Sequence, residues 1–182
     1  MNFEEKQLKE EYLYKGKIIN LRRDEVRLPD GGTAFREVVE HKGGVCVAAL
    51  TENDEILFVR QFRYPYREVT LEIPAGKRDS QNEDPLLCGK RELREETGAV
   101  AEKYLSLGEL YPTPGYCGEV IYMYAATGLS YGECDPDDDE FLSVERIPLE
   151  KAVDMVLSGE IKDAKTQAAV LKVKLLQDRN EI

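Results

Sequence analysis

The stretch from residue 75 to residue 100, AGKRDSQNEDPLLCGKRELREETGAV, places the strongest constraint on the fold of this chain. Asp84 followed by Pro85 is a favourable N-cap and first-turn pair, and Gly98 is a favourable residue just beyond a helix C-terminus. Every residue between them except Gly89 tolerates a helix. The stretch therefore predicts a helix between Asp84 and Gly98.

Three glutamates share one face of this predicted helix, because Glu92, Glu95 and Glu96 lie at i, i+3 and i+4. Like charges at this spacing destabilise an isolated helix by about 0.2 to 0.5 kcal/mol per pair, so something should offset the repulsion. Hard divalent cations such as Mg²⁺ bind through a few carboxylates together with substrate phosphates. The spacing is thus compatible with a magnesium site, although a merely solvated glutamate-rich face is the commoner explanation of such a pattern.

Sequence patterns typical of β-strands dominate the chain before this helix, and patterns typical of both strands and helices follow it. Two β-rich runs between residues 17 and 40 flank Asp30, Gly31 and Gly32, which predicts a hairpin. A nearly continuous apolar run, GVCVAAL, predicts a buried strand at residues 44–50. Further strand candidates lie at residues 55–64, 68–76, 119–130 and 140–147.

Two helices are predicted near the C-terminus. Apolar residues recur at helical spacing between Pro148 and Gly159, and they are Leu149, Ala152, Val153, Val156 and Leu157. A last helix is predicted from about Asp163 to Asp178. The order of strands, helix, strands and helices predicts a mixed sheet covered by helices.

Charge and cysteine content argue against several classes of function. The formal net charge of −11 should repel nucleic acid and anionic membranes, which attract clustered Lys and Arg. The four cysteines form no C-x-x-C pair and His41 is the only histidine, which argues against zinc and against a Ser-His-Asp site. No apolar run approaches the length of a membrane span, and no signal peptide is visible. We therefore expect a soluble, cytoplasmic protein with reduced thiols and a structural His41.

Residues 83 to 99 resemble the Nudix box. In its usual form a Gly is followed by five residues, a Glu, seven residues and then Arg-Glu-aliphatic-x-Glu-Glu-x-Gly-aliphatic. Glu83, the seven residues after it and RELREETGA match this pattern position by position through Ala99. The one departure is that six residues, not five, separate Gly76 from Glu83, and a surface loop should tolerate this insertion.

Short strings outside the box resemble the ADP-ribose pyrophosphatase branch of that family. Each string is short enough to be structural on its own, and together they favour this branch. They are FRE at residues 35–37, QFR-x-P at residues 61–65, the Pro-Gly motif at residues 114–115 and DDDEF at residues 137–141.

The resemblance implies a metal site and an orienting ion pair. Glu92, Glu95 and Glu96 would hold metal ions, with the backbone carbonyl of Ala75 as a further ligand. Mg²⁺ is the expected ion, with Mn²⁺ as its substitute. Arg91 and Glu83 would form a salt bridge that orients the catalytic helix, unless they are an ordinary surface ion pair or Glu83 contacts a metal through water.

The resemblance also implies a general base and a set of substrate contacts. An acidic loop after the Pro-Gly motif would supply the base, and Glu140 matches it, with Asp139 as the alternative. Guanidinium groups suit paired phosphate oxygens, which favours arginines as the groups that grip a diphosphate or terminal ribose. The candidate substrate-site residues are Arg36, Arg63, Glu72, Glu119 and Pro114. Each of these acidic and basic residues has an ordinary solvated role as its alternative.

The predicted fold class is α/β, a Nudix-type α/β/α sandwich around a mixed β-sheet with a small N-terminal antiparallel β-hairpin region. Residues 1–42 are expected to form the β-rich region, for dimerisation and substrate contacts, and residues 43–182 the Nudix hydrolase domain. The branch implies a homodimer in which N-terminal strands are exchanged and both chains complete each active site.

The predicted reaction is Mg²⁺-dependent hydrolysis of the pyrophosphate bond in a small-molecule nucleoside diphosphate derivative. ADP-ribose, giving AMP and ribose 5-phosphate, is the first candidate substrate. One alternative is another nucleotide sugar or dinucleotide, and the other is a domain that senses ADP-ribose without cutting it. The presence of all three box glutamates and the absence of a basic helix-turn-helix segment favour an enzyme.

Overall fold

A computed structural model describes residues 2–134 and 141–182 of the chain. None of the helices in these two ranges is long and apolar enough to cross a membrane. The elements within them are β1 (Lys6–Lys15), β2 (Ile19–Arg27), β3 (Thr33–His41), β4 (Gly44–Ala49), β5 (Glu55–Arg63), β6 (Glu68–Glu72), β7 (Ala75–Lys77), α1 (Pro85–Thr97), β8 (Ala99–Leu110), β9 (Ile121–Tyr131), β10 (Leu142–Pro148), α2 (Leu149–Leu157) and α3 (Ala164–Asp178).

The central sheet has the strand order β7-β4-β9-β8. It is mixed, as predicted, because β4 pairs parallel with β9 and antiparallel with β7. All six residues of β4 are buried. A strand covered on both faces needs apolar side chains at every position, which explains the uninterrupted apolar run at residues 44–50.

Side chains of β4 alternate between two hydrophobic clusters. Val47 and Ala49 pack with Leu93 of α1. Cys46 and Ala48 pack on the other face, in the cluster that includes residues of α2 and α3. The central sheet therefore lies between α1 on one side and the α2–α3 pair on the other, and the predicted α/β/α sandwich is confirmed.

Two further sheets flank this sandwich. One has the order β10-β5-β6, and its strand β5 corresponds to the predicted strand at residues 55–64. The other is the N-terminal sheet β1-β2-β3, in which β2 and β3 form the predicted hairpin. The hairpin turns at Gly31, whose φ of +92° favours glycine.

Two strands were not predicted from the sequence. In β1 all ten residues are exposed, and in β8 charged side chains interrupt the apolar ones. Neither segment shows the alternation of apolar and polar residues that marks a half-buried strand. Among the strands of the described ranges, β1 pairs with β2 alone, at the outer edge of the N-terminal sheet.

The ends of α1 and α3 lie where their capping residues predict. Asp84 Oδ1 accepts hydrogen bonds from the backbone N–H groups of Leu86 (2.8 Å) and Leu87 (3.1 Å). Gly98 ends α1 in the left-handed conformation, with φ +69°. Asp163 caps α3 by accepting a hydrogen bond from the Thr166 N–H at 2.9 Å.

The predicted apolar face of α2 was partly wrong. Leu149 and Ala152 are buried as predicted, but Met155 is the third buried residue and Leu157 is 75% exposed. The buried side is centred near Ala152, and five residues of helix turn Leu157 about 140° away from it.

Candidate active site

The carboxylate of Glu92 packs directly against the backbone of Gly76. Glu92 lies on α1 and is only 7% exposed. A Cβ atom on residue 76 would lie 1.9 Å from Glu92 Cδ and 2.0 and 2.1 Å from its two carboxylate oxygens. Only glycine at position 76 therefore permits Glu92 to occupy this place between α1 and β7.

The carboxylate of Glu96 lies one turn further along α1 and meets the same strand. Glu96 is 2% exposed, and its Oε2 accepts a hydrogen bond of 3.0 Å from the backbone N–H of Ala75. Buried carboxylates are stable only when paired, hydrogen-bonded or bound to a metal. Glu92 and Glu96 thus converge on the Ala75–Gly76 backbone, which is where the sequence predicts a metal site.

Arg91 offsets the repulsion between the glutamates of α1. Its Nη1 lies 2.9 Å from Glu92 Oε1 and donates a hydrogen bond of 2.9 Å to Glu95 Oε2. Burial of the guanidinium opposes its charge, but Glu92 and Glu95 outweigh this effect and raise the pKa of Arg91. The predicted pairing with Glu83 is also present, at a longer distance of 3.7 Å.

The side chains of Glu92 and Glu95 both contact Arg91, whose Nη1 lies 2.9 Å from an oxygen of each. Within residues 2–134 and 141–182, no three His, Cys, Asp or Glu side chains already surround one cation position. A cation at this site would therefore draw Glu95 away from Arg91 if all three glutamates were to bind it.

Arg63 and Glu72 form a two-point ion pair between β5 and β6. Arg63 Nε and Nη2 donate hydrogen bonds of 2.7 Å and 2.6 Å to the two oxygens of Glu72. Glu72 is 2% exposed, and its second cationic partner is Lys165 of α3. Burial opposes ionisation of Glu72, but Arg63 and Lys165 lower its pKa to about 2, so the carboxylate is charged at neutral pH.

The Pro-Gly motif forms a turn that docks on the N-terminal sheet. The carbonyl of Thr113 accepts a hydrogen bond from Cys117 N–H at 3.0 Å, which closes the turn containing Pro114. Val39 of β3 donates to the Tyr116 carbonyl (2.8 Å) and accepts from Gly118 N–H (2.9 Å). The turn is therefore held by the backbone of β3.

Glu119 follows this turn and lies beside His41, with 3.2 Å between Glu119 Oε1 and His41 Nδ1. His41 Nδ1 is also 3.1 Å from the backbone N–H of Gly43 and accepts its hydrogen bond. The His41 ring nitrogen therefore lies between the Gly43 N–H and the Glu119 carboxylate. His41 thus orders the chain between β3 and β4, in agreement with a structural role.

Arg36 is not brought to the glutamates of α1 within the described part of one chain. It lies on β3 and donates to both oxygens of Glu5, at 2.9 Å from Nε and 2.5 Å from Nη2. The predicted base, Glu140, and its alternative Asp139 lie outside the described residues.

Comparison with known proteins identifies the family. A profile of the NUDIX domain matches residues 40–170, and a profile of the nucleoside diphosphate sugar hydrolase N-terminal domain matches residues 5–39. The chain belongs to the Nudix family. The prediction of a Nudix hydrolase is thereby confirmed.

Several curated Nudix relatives match nearly the whole chain. The ADP-ribose pyrophosphatase of Bacillus subtilis (strain 168) is 39% identical over 176 residues, covering 96% of this chain and 95% of its own length. The ADP-ribose pyrophosphatase of Mycobacterium tuberculosis (strain ATCC 25618 / H37Rv) is 41% identical over 165 residues, covering 90% and 80%. The methanol dehydrogenase activator of Bacillus methanolicus is 39% identical over 175 residues, covering 95% and 94%.

A solved structure supports the fold of this Nudix hydrolase. The crystal structure of an ADP compounds hydrolase superimposes with a TM-score of 0.85 over 100% of both chains. The two sequences are 19% identical, so this comparison establishes the fold alone.

The extra residue in the Nudix box lies in a loop that holds itself in place. Arg78 Nε donates to the Glu83 carbonyl at 3.1 Å, and the Glu83 carboxylate accepts a hydrogen bond of 2.7 Å from Asp79 N–H. The insertion leaves Gly76 packed against Glu92. The inserted residue therefore lies in an exposed loop, and Gly76 remains beside α1.

Sequence reasoning missed Lys165, which lies 9% exposed in the first turn of α3. A signal for it was available. Lys165, Ala169 and Val173 recur at i, i+4 and i+8, so a lysine occupies the apolar stripe of the predicted helix. A cation in such a stripe indicates a buried ionic partner.

Proposed function

We propose that this Nudix enzyme hydrolyses the pyrophosphate bond of a nucleoside diphosphate derivative in a Mg²⁺-dependent reaction, with ADP-ribose as substrate. The observation that carries the proposal is the convergence of Glu92 and Glu96 on the backbone of Ala75 and Gly76. The choice of ADP-ribose rests on the two relatives named ADP-ribose pyrophosphatase, at 39% and 41% identity. The products would be AMP and ribose 5-phosphate.

The donor set at this position suits a hard divalent cation. Carboxylates of Glu92, Glu95 and Glu96 and the carbonyl of Ala75 are all oxygen ligands, which Mg²⁺ prefers and which also accept Mn²⁺. The close approach that Gly76 permits supports this fit, because it brings the Glu92 carboxylate onto the backbone beside Ala75. A bound divalent ion supplies charge neutralisation at the diphosphate and a more acidic water.

The other side chains of the proposed site bind the substrate, orient the glutamates or transfer a proton. Arg63 binds diphosphate oxygens through its guanidinium, and Arg91 keeps the glutamates of α1 in place. Glu140, with Asp139 as the alternative, takes the proton from water as the water oxygen attacks phosphorus. The bond from phosphorus to the bridging oxygen breaks, and the leaving phosphate carries the electron pair away. Glu119 and Pro114 contribute to the wall of the substrate site, and Glu83 supports Arg91.

We propose that the enzyme is a homodimer in which the N-terminal region, residues 1–42, takes part in dimerisation and substrate binding. Support comes from β1, whose exposed residues include Leu8, Tyr12, Leu13 and Tyr14. Apolar side chains on an edge strand with one neighbour gain stability only if another surface covers them. In such a dimer Arg36 would reach the active site of the partner chain.

A single substrate experiment separates two rival functions from this proposal. The first is cleavage of another nucleotide sugar or dinucleotide, because the box determines the reaction and not the leaving group. The second is binding of ADP-ribose without cleavage, which the presence of Glu92, Glu95 and Glu96 disfavours. We also propose a cytoplasmic location, because the four unpaired thiols fit a reducing compartment.

The test is release of AMP and ribose 5-phosphate from ADP-ribose, measured with and without Mg²⁺ beside a panel of nucleotide sugars and dinucleotides. The proposal expects the highest kcat/KM for ADP-ribose and no turnover after chelation. A higher kcat/KM for another compound would replace the substrate. Tight binding of ADP-ribose with no turnover in Mg²⁺ or Mn²⁺ would favour a sensor.

A further inference from the structure

Lys165 is a buried cation that the reaction outlined above does not use. It lies in the first turn of α3, and its side chain is 11% exposed. Burying an ammonium group is costly unless it is paired and hydrogen-bonded. Its position therefore indicates a specific electrostatic task.

Lys165 joins two carboxylates that come from different elements. Its Nζ lies 2.5 Å from Glu72 Oε2, at the end of β6, and 3.0 Å from Asp163 Oδ1, the cap of α3. Glu72 in turn accepts both hydrogen bonds from Arg63. The result is a chain of alternating charge, in the order Asp163, Lys165, Glu72 and Arg63, in which two cations balance two anions.

Arg63 is the most exposed member of this chain. Its side chain is 39% exposed, against 21% for Asp163, 11% for Lys165 and 2% for Glu72. Arg63 uses Nε and Nη2 for Glu72, and its Nη1 donates no hydrogen bond to any residue in the ranges 2–134 and 141–182. The outward side of the guanidinium thus remains available to an anionic ligand.

We propose that Lys165 is a positioning residue for diphosphate binding. Its ammonium group balances part of the negative charge of Glu72, so Glu72 holds Arg63 in place without cancelling the positive charge of its guanidinium. This inference rests on the proposed function, in which Arg63 binds the diphosphate. Without the ammonium group, Glu72 and Asp163 would outnumber Arg63, and the cluster would carry a net negative charge beside an anionic substrate. The substrate would then be repelled, and Arg63 would be held more strongly by Glu72 alone.

Substrate affinity should change more than turnover when Lys165 is replaced. The metal-site glutamates Glu92 and Glu96 lie on α1, and no hydrogen bond or ion pair identified in the described ranges joins Lys165 to either. A group that binds substrate and transition state equally alters KM and leaves kcat unchanged.

The experiment compares Lys165→Met and Lys165→Gln with wild type, Lys165→Arg and Arg63→Ala. The amide of Gln keeps a hydrogen-bond donor, so this variant serves if Met at position 165 prevents folding. Lys174→Met is the matched control, because Lys174 lies on the same helix, pairs with Glu150 and Asp178, and its loss changes the net charge equally. Cooperative thermal unfolding establishes that each variant is folded.

Two quantities are measured in Mg²⁺: kcat and KM for ADP-ribose, and the Kd of α,β-methylene ADP-ribose by calorimetry. Arg63→Ala should weaken analogue binding about 10- to 100-fold, the scale of a lost charge-assisted hydrogen bond. Both charge-removing Lys165 variants should weaken it about tenfold, with kcat within about threefold of wild type. Lys165→Arg should restore most of the affinity, and Lys174→Met should bind like wild type.

Several results would overturn the inference. These are an unchanged Kd in both charge-removing variants, a fall in kcat at constant Kd, an equal loss of affinity in Lys174→Met, or a failure of both variants to fold. Failure of the proposed function looks different, because wild type itself would then fail to cleave ADP-ribose, whatever its affinity for the analogue.

Discussion

Gly76 illustrates how a single hydrogen atom in place of a side chain determines the active-site geometry. We expect Gly76→Ala to lower turnover at least about 10²-fold, because the new Cβ would overlap the Glu92 carboxylate and displace a metal ligand. The Mg²⁺ concentration for half-maximal activity should rise as well. Gly132→Ala is the control, since among the described residues its Cβ would meet nothing closer than 3.9 Å. Equal activity of the two variants would contradict this role.

The charges of Glu92 and Glu96 make a separate prediction at the residue scale. Glu92→Gln and Glu96→Gln should each reduce kcat by at least about 10²-fold with the fold intact, because an amide keeps the shape but loses the charge that holds the metal. Circular dichroism and Mg²⁺-dependent AMP release measure the two effects. Glu52→Gln, at an exposed turn residue, should retain wild-type activity. Near-normal turnover in both active-site variants would contradict the proposal that α1 carries the metal site.

At the scale of elements, the acidic segment of residues 135–140 is proposed to supply the general base. If Glu140 is the general base, Glu140→Gln should lower kcat about 10²- to 10⁴-fold with little change in Mg²⁺ or substrate affinity. A variant that mainly raises the Mg²⁺ requirement would instead make Glu140 a metal ligand, and Asp139 or Glu119 would become the better base. No change in either quantity would contradict a catalytic role for Glu140.

Hydrogen bonds from two helices anchor the backbone that leads into β7. The segment that leads into β7 is held by α1 through the hydrogen bond from Ala75 N–H to Glu96. α3 holds the same segment, because Thr166 Oγ1 accepts a hydrogen bond of 3.0 Å from Ile73 N–H. The backbone proposed to bind the metal is thus tied to the helices on both sides of the sheet, which suits a site that must hold its geometry during turnover.

For the whole molecule, the exposed β1 strand predicts a dimer. Light scattering should give twice the chain mass of 20.7 kDa. Leu13→Asp should shift the protein toward monomer and lower ADP-ribose turnover, because a charge in an apolar contact opposes association. Val100→Asp, at an equally exposed valine of β8, should leave the mass unchanged. A wild-type monomer with full activity would contradict both the dimer and a shared active site.

The sequence by itself determined the α/β/α sandwich, the ends of α1 and α3, and the family, because these depend on local signals. Asp84 and Gly98 act on the backbone within a few residues, and the continuous apolar run of β4 reflects burial on both faces. The box residues recur at fixed spacing along one helix, so their positions could be read directly. The strands β1 and β8 could not be predicted in this way, because charged residues on both faces of a strand leave no alternation of apolar and polar residues.

Only the tertiary structure decided which side chains act on one another across the chain. Lys165 and Glu72 are 93 residues apart in the chain, yet their charged groups are in contact. The stripe of α3 indicates that Lys165 is buried, but its partner is chosen by how α3 packs on the sheet. The same is true of Gly76 and Glu92, whose contact depends on the distance between β7 and α1. Packing distances of this kind arise from the whole core, and no local pattern encodes them.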